Sequence, residues 1–219
     1  MASFSQSLSE EFSYENADSA CSTAYVFPVF ARLLGAFPEG SVVADLGCGN
    51  GSLLANFLTR SWELHGFEVS ESGLRHARRA YPGIHFHAAD LMADLSSHPL
   101  AGRCDVLIST EVVEHVFLPR RFAGNCYSFL KPGGKLILST PYHGYLKNLA
   151  LALSNKLDNH FTALWDYGHI KFWSARTIGL LLQEAGLNVL QVTGAGRLPY
   201  LWKSMIVVAV KPELPGGAR

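Results

Sequence analysis

The sequence predicts an α/β domain: a three-layer sandwich whose mostly parallel, seven-stranded sheet carries helices on both faces. Three observations support this. Short apolar runs of strand length alternate with stretches of helical periodicity. Glycine and proline mark the changeovers between them. The strand-length runs are apolar almost throughout, as strands are when a parallel sheet is covered on both sides.

In chain order, apolar residues from Ala20 to Leu34 fall at helical spacing (Tyr25, Val26, Val29, Phe30, Leu33, Leu34), with Pro28 interrupting the early part. Val42 to Leu46 reads as a buried strand, Gly47 to Gly51 as a turn, and Ser52 to Thr59 as a helix. Glu63 to Val69 is the second strand, followed by a helix over Glu71 to Ala80. Pro82-Gly83 breaks the chain before a third strand, Ile84 to Ala88. Asp105 to Ser109 is the fourth strand and Pro119 to Leu130 the next helix. Pro132-Gly133-Gly134 turns the chain into a fifth strand, Lys135 to Ser139. Tyr142 to Asp166 has no strand pattern and reads as one or two helices inserted after that strand. A helix over Ala175 to Ala185 ends at Gly186, and Asn188 to Thr193 and Met205 to Val210 close the sheet.

A chain of 219 residues with 48% hydrophobic content is long enough for one well-packed domain and short for two. The domain is expected over 19–212, after a polar, aperiodic and mobile arm over 1–18. A lid-like insertion is expected at about 142–173. Basic and acidic residues balance at 18 each. A neutral chain has no global field to draw it onto nucleic acid, so nucleic acid is not an expected partner. The four cysteines show no metal-site spacing and read as reduced thiols. The chain has neither the pattern of a secretory signal nor an apolar run of membrane-spanning length, so a cytoplasmic location is the expectation. The sequence carries no mark of an oligomeric state.

The most informative segment is VVADLGCGNG, Val42 to Gly51. Three glycines lie between a buried strand and a helix, where they permit positive φ and close ligand approach. Asp45 ends the first strand, at the edge where such sheets bind ligands. Glu68 ends the second, placed to accept both hydroxyls of a ribose. Asp90 ends the third, where an acid can accept from an adenine amino group. Three carboxylates aimed at one crevice are costly unless a ligand, such as a cation with a ribose and an adenine, offsets them. A dinucleotide enzyme more usually shows G-x-G-x-x-G, whereas this turn has G-x-G-x-G.

Past the fourth strand lies Glu111-Val112-Val113-Glu114-His115. On a helical turn, Glu111, Glu114 and His115 would share one face. Two carboxylates and an imidazole make half of a divalent-metal site. His169, in DYGHIKFW, is the first candidate for a fourth ligand, and His143, in STPYHGY, the second. Without a metal, His115 would serve as a plain base. The two schemes exclude each other for that residue.

DLGCGNG, then Glu68, Asp90 and LKPGGKLIL, resembles the class I S-adenosylmethionine-dependent methyltransferases, over about Val42 to Pro141. The resemblance implies a Rossmann-like fold with S-adenosylmethionine as cofactor. Asp45, Gly47, Gly49 and Gly51 would line its methionine part, Glu68 its ribose and Asp90 its adenine, with Cys48, Val69, Leu91 and Thr110 beside them. Glu111 to His115 resembles a segment of the ubiquinone-biosynthesis O-methyltransferases, and more loosely one of the small-RNA 2′-O-methyltransferases. In the latter, E-x-x-E-H and a later histidine hold a magnesium-type ion against the acceptor hydroxyl.

Under either scheme His115 and Glu111 are the candidate catalytic residues. The aromatic insertion (Tyr142, Tyr145, Phe161, Trp165, Tyr167, Phe172, Trp173) would close over an apolar or aromatic acceptor, and Tyr14 is a candidate to close over the cofactor from the arm. The first expectation is O-methylation of a hydroxylated small molecule. The alternatives are metal-assisted methylation of RNA ribose and a non-catalytic cofactor-binding subunit. Arg120 and Arg121 are expected to be solvated, and His76, His85, His87 and His98 to lie on the surface or in packing.

Overall fold

The computed structural model describes residues 14–16, 23–161 and 163–213. Along them run α1 (Thr23–Leu34), β1 (Val42–Leu46), α2 (Ser52–Ala55), β2 (Glu63–Glu68), α3 (Glu71–Ala80), β3 (His85–Ala88) and β4 (Cys104–Thr110). They continue with α4 (Pro119–Phe129), β5 (Leu130–Pro141), α5 (Tyr145–Leu153), α6 (Leu157–Phe161), α7 (Ala175–Glu184), β6 (Asn188–Ala195) and β7 (Ser204–Val210). The strands form one sheet in the order β3-β2-β1-β4-β5-β7-β6. Neighbours from β3 to β5 run parallel, and β7 lies antiparallel between β5 and β6. This is the Rossmann-like sandwich that the alternation of elements predicts.

The apolar strands supply two cores because successive side chains leave a strand on opposite faces. Ala44, Leu46, Leu107, Leu136 and Leu138 pack on one side with Phe122 and Phe129 of α4 and Ile178 and Leu182 of α7. Val43, Val106, Ile108 and Ile137 pack on the other with Val26, Phe30 and Leu34 of α1 and Leu53 and Leu54 of α2. Cys48, Cys104 and Cys126 are buried free thiols within these cores.

Two boundaries differ from expectation for local reasons. The helix expected over Ser52 to Thr59 stops at Ala55. There the Asn56 side chain donates to the carbonyls of Ser52 and Leu53, at 2.8 and 3.2 Å, and so competes with the next helical turn. β5 begins at Leu130 rather than Lys135, with Pro132-Gly133-Gly134 looping out of its pairing with β4: Leu130 pairs with Cys104 and Lys135 with Val106, and Gly133 has φ +76°. The inserted segment after β5 forms two helices, α5 and α6.

Most of the expected arm over 1–18, like the first turn of the helix expected from Ala20, lies outside the described residues. Residues 14–16 are pinned to the domain. The Tyr14 N–H donates to Ser72 Oγ at 2.9 Å, and Asn50 Nδ2 donates to the Asn16 carbonyl at 3.0 Å. Among the described residues no helix is long and apolar enough to cross a membrane.

Candidate active site

The carboxyl ends of β1, β2 and β4 and the turns after them surround a cavity of about 400 Å³. Of the residues expected around a cofactor, Gly47, Glu68, Val69, Asp90, Leu91 and Thr110 line it. Tyr14, Glu111, His115 and Trp165 line it as well. Asp45, Cys48, Gly49 and Gly51 do not form its wall; Asp45 lies in β1 and the other three in the turn beside it. Gly51 has φ +79°, and a Cβ there would come within 2.7 Å of Phe86, so this glycine serves helix–sheet packing rather than ligand approach. At Gly49, φ +55°, a Cβ would lie 2.6 Å from the Tyr14 hydroxyl, which sits against the turn.

The turn's hydrogen bonds restrict what it can hold. The N–H groups of Gly47 and Cys48 donate to the Phe67 carbonyl at 2.8 and 3.0 Å. Gly49 donates to Glu68 Oε2 at 2.8 Å, Gly51 to the Cys48 carbonyl, and Ser52 to Asn50 Oδ1. These amides are therefore spent within the fold, and they form no cradle for a diphosphate. The turn presents carboxylates instead. Glu68 Oε1 accepts from the N–H groups of Val69 and Ser70, at 2.8 and 2.9 Å, which fixes the side chain at the cavity. Burial raises its carboxyl pKa, and the three backbone bonds oppose that rise.

Asp45 is only 2% exposed, and its Oδ1 has no hydrogen-bond partner. Burial, and then the charge of Glu68, push its carboxyl well above the usual range. Thr110 Oγ1, on the cavity wall, is likewise buried without a partner. Burial and nearby Glu68 also raise the Tyr14 phenol, so it stays a neutral donor. Two buried acids short of cations, beside an orphaned hydroxyl, fit a ligand that carries positive charge and polar groups of its own. S-adenosylmethionine meets that description, and Glu68 and Asp90 are both on the wall.

The segment from Glu111 to His115 departs from the expected helical turn. Glu111 adopts φ +54°, a left-handed conformation rare outside glycine. Its carboxylate turns toward β5 and β7, accepting from Ser139 Oγ at 2.8 Å and Ser204 Oγ at 3.2 Å. The shared face of Glu111, Glu114 and His115 therefore does not form. Glu114, His115 and His169 come together instead, with one potential ligand atom each, all within 4.8 Å of one another; Glu111 is not in that group. His143, the second candidate, packs among Phe172, Phe161 and His160.

Backbone bonds hold this trio. The Glu114 carbonyl accepts from the N–H groups of Ile170 and Lys171, and Trp173 Nε1 donates to the Val113 carbonyl at 3.1 Å. His115 Nδ1 lies 3.0 Å from the Tyr167 carbonyl and 3.2 Å from that of Gly168. Two acceptors at Nδ1 require the proton there, so Nε2 is the lone-pair nitrogen of the ring. Burial lowers the pKa of His115, and that of His169 to about 4. Glu114 is fully buried, and burial followed by Glu111 raises its carboxyl well above the usual range. Its Oε2 accepts from Thr140 Oγ1, while Oε1 has no hydrogen-bond partner and lies 3.9 Å from His169 Nε2.

A second cavity, of about 460 Å³, adjoins the first, and Glu111 lines both. Lys147, His160, His169, Arg197, Lys203 and Ser204 are on its wall. Sequence reasoning missed Lys147, His160, Arg197 and Lys203. Only Lys147 carried a signal, as the one charge in the apolar run Tyr145–Leu153. Arg120 and Arg121 form surface ion pairs with Glu184 and Asp94 and take no part in either cavity.

Comparisons with known proteins give the family of the chain. Residues 20–192 match the model of a family described as a methyltransferase domain. The chain is similar to a ubiquinone biosynthesis O-methyltransferase of Coxiella burnetii, at 26% identity over 160 residues, 71% of this chain and 67% of that one. A protein of the same description from Pseudomonas aeruginosa is 27% identical over 157 residues, 71% of this chain and 68% of its own. Among solved structures, the fold is similar to the 1,6-didemethyltoxoflavin-N1-methyltransferase of Burkholderia thailandensis with bound S-adenosylhomocysteine. The TM-score is 0.59 at 15% identity, covering 85% of this chain and 76% of that one. The chain belongs to the methyltransferase-domain family and is a class I S-adenosylmethionine-dependent methyltransferase.

Proposed function

We propose that the protein methylates a hydroxyl group of a small aromatic or apolar acceptor, with His115 as the base. One observation carries this reading: two backbone carbonyls bind His115 Nδ1, which sets the lone pair on Nε2 in a residue of the cavity wall. S-adenosylmethionine supplies an electrophilic methyl on a sulfonium, and the acceptor must lose a proton as it attacks. A histidine kept neutral by burial can take that proton at pH 7. The chain's other contribution is alignment of acceptor, methyl and sulfur. Glu68 and Asp90 fix the donor's nucleoside, Asp45 and Thr110 serve its charged and polar end, and Trp165 closes the wall beside His115. The region from 142 to 173 acts as the lid on the acceptor side. Similarity to ubiquinone biosynthesis O-methyltransferases supports a hydroxylated ring as acceptor.

A second reading rests on the cluster of Glu114, His115 and His169. One carboxylate and two imidazoles suit a softer divalent ion such as zinc, iron or manganese. They are a poor set for magnesium, which favours oxygen ligands, because Glu111 is turned away to Ser139 and Ser204. In that reading His115 is a ligand, and the acceptor's pKa falls by coordination.

Methyl transfer to a panel of phenols and catechols, with the methylated atom located by mass spectrometry, tests both. The base reading expects O-methyl products in undiminished amount after chelation. Loss of activity on chelation, restored by zinc, iron or manganese, would favour the cluster reading. Transfer to nitrogen, to carbon or to RNA alone would contradict the proposal.

A further inference from the structure

Building on the assignment of the first cavity to the methyl donor, we propose that the second cavity takes an acceptor bearing an anionic oxyacid group. Lys147, Arg197 and Lys203 would recognise that group.

Position is the first argument. Glu111 lines both cavities. His169 lines the second, and its ring stands edge-on to that of His115, with centroids 4.9 Å apart. A molecule in the second cavity therefore ends where the donor cavity begins.

Charge is the second. In a chain whose charges balance overall, this wall gathers three cations against a single carboxylate. That carboxylate, Glu111, is already bonded to Ser139 and Ser204. The imbalance is therefore local to the cavity.

Lys147 is the third. It is 6% exposed, and its Nζ donates to the carbonyls of Tyr142 at 2.8 Å and Lys203 at 3.5 Å. Two neutral carbonyls leave one of its three N–H groups for a ligand in the cavity that it lines. Burial and then the charge of Arg197 pull its pKa down to about 8, with Glu111 opposing. A buried ammonium beside a second cation is costly, and an anion in the cavity relieves that cost. Pro141, Leu151 and Leu201 give the same cavity an apolar side. The occupant is thus an organic acid with a hydrocarbon or aromatic body rather than a bare inorganic ion.

The test is calorimetric titration of the full chain with 3,4-dihydroxybenzoate, its neutral amide and phenyl phosphate, each with and without S-adenosylhomocysteine. At least one acid should bind about tenfold or more tighter than the amide, the scale of a hydrogen bond to a charged group. The tighter of the two identifies the oxyacid as carboxylate or phosphate. Lys147→Met and Arg197→Gln should each bring the acid toward the level of the amide while affinity for S-adenosylhomocysteine stays unchanged. Should Lys147→Met fail to fold, Arg197→Gln, at an exposed position, decides alone. Equal binding of acids and amide, binding of none of them, or acid binding untouched by Arg197→Gln overturns the proposal. If the acids bind and S-adenosylhomocysteine does not, the donor assignment fails and this one stands.

Discussion

The two cavities that we assign to donor and acceptor meet at Glu111, yet they are built differently. The donor side is held by backbone. Glu68 takes three main-chain N–H groups, and Gly47 and Cys48 donate to the Phe67 carbonyl. The acceptor side is built from side chains on α5, α6, the segment around His169 and the β6–β7 connection. Buried polar atoms without partners occur on both sides. Thr110 Oγ1 is on the wall of the first and Asp45 Oδ1 in β1 beside it; His160 Nε2 is on the wall of the second, and Glu114 Oε1, Asn148 Oδ1 and both nitrogens of His143 belong to the segments that flank it. Each such atom costs roughly 1–3 kcal/mol when buried alone. The first cavity is thus fixed mainly by main-chain bonds, while the segments that flank the second hold most of the unpaired side-chain polarity. That contrast is expected where a shared fold binds one common ligand and a variable region selects the second.

The sharpest way to break the comparison is His115→Asn, which keeps the cavity wall and removes the base. Turnover should fall by about a hundred- to ten-thousand-fold, while S-adenosylhomocysteine affinity measured by calorimetry stays within about twofold. A parallel loss of affinity would mean that the two sides are not separable. A smaller effect follows from Asp45→Asn, which takes away the buried carboxyl that a cationic ligand would hold ionised next to Glu68. Affinity for S-adenosylmethionine should drop about tenfold, roughly 1.4 kcal/mol. Improved affinity would show that Asp45 is a structural acid only.

Glu114→Gln tests the cluster with His115 and His169 through stability. Its carboxyl is raised by burial, so the native state resists its ionisation, and ionisation in the unfolded chain costs stability as pH rises above the ordinary glutamate value. The glutamine retains an acceptor for Thr140 Oγ1 and has no charge to lose. At pH 7.5 the melting temperature should rise by about 2–4 °C for each ~1 kcal/mol recovered. A fall in melting temperature would show that the charged form is matched in the fold.

The smallest effect concerns neither cavity. His87 stacks on Phe67, at 4.6 Å between centroids, and burial pulls its pKa from 6.5 to about 4. The unfolded chain therefore binds the extra proton first on acidification. The stability that neutral His87 contributes is whole above pH 6.5 and is lost as pH falls toward 4. Urea midpoints measured across that window should decline, and less steeply in His87→Phe. An unchanged slope would place the pH sensitivity elsewhere.

The donor side was legible in the sequence because its parts are local. A buried strand, a glycine turn and an acid at the end of each strand lie within short reach of one another, and strand periodicity places them. His169 is far from Glu114 in sequence, but its surrounding DYGHIKFW gave it away, and the structure brings the two together. Glu111 was not legible. Nothing in E-V-V-E-H announces a left-handed residue, and that one dihedral sends its carboxylate to Ser139 and Ser204 instead of beside Glu114. Lys147 lies on α5, whereas Arg197 and Lys203 share the β6–β7 connection, so the lysine meets the other two only in the folded chain. The shortened α2 depends on one asparagine that bonds back to its own helix.

The most direct test of the central assignment is calorimetric titration of S-adenosylhomocysteine into the wild-type protein and Glu68→Ala. The account predicts one site on the wild type and affinity reduced about a hundredfold or more in the variant, since a fixed carboxylate that accepts a sugar's hydroxyls is worth roughly 3 kcal/mol. No binding to the wild type, or equal binding to a folded Glu68→Ala, would contradict it.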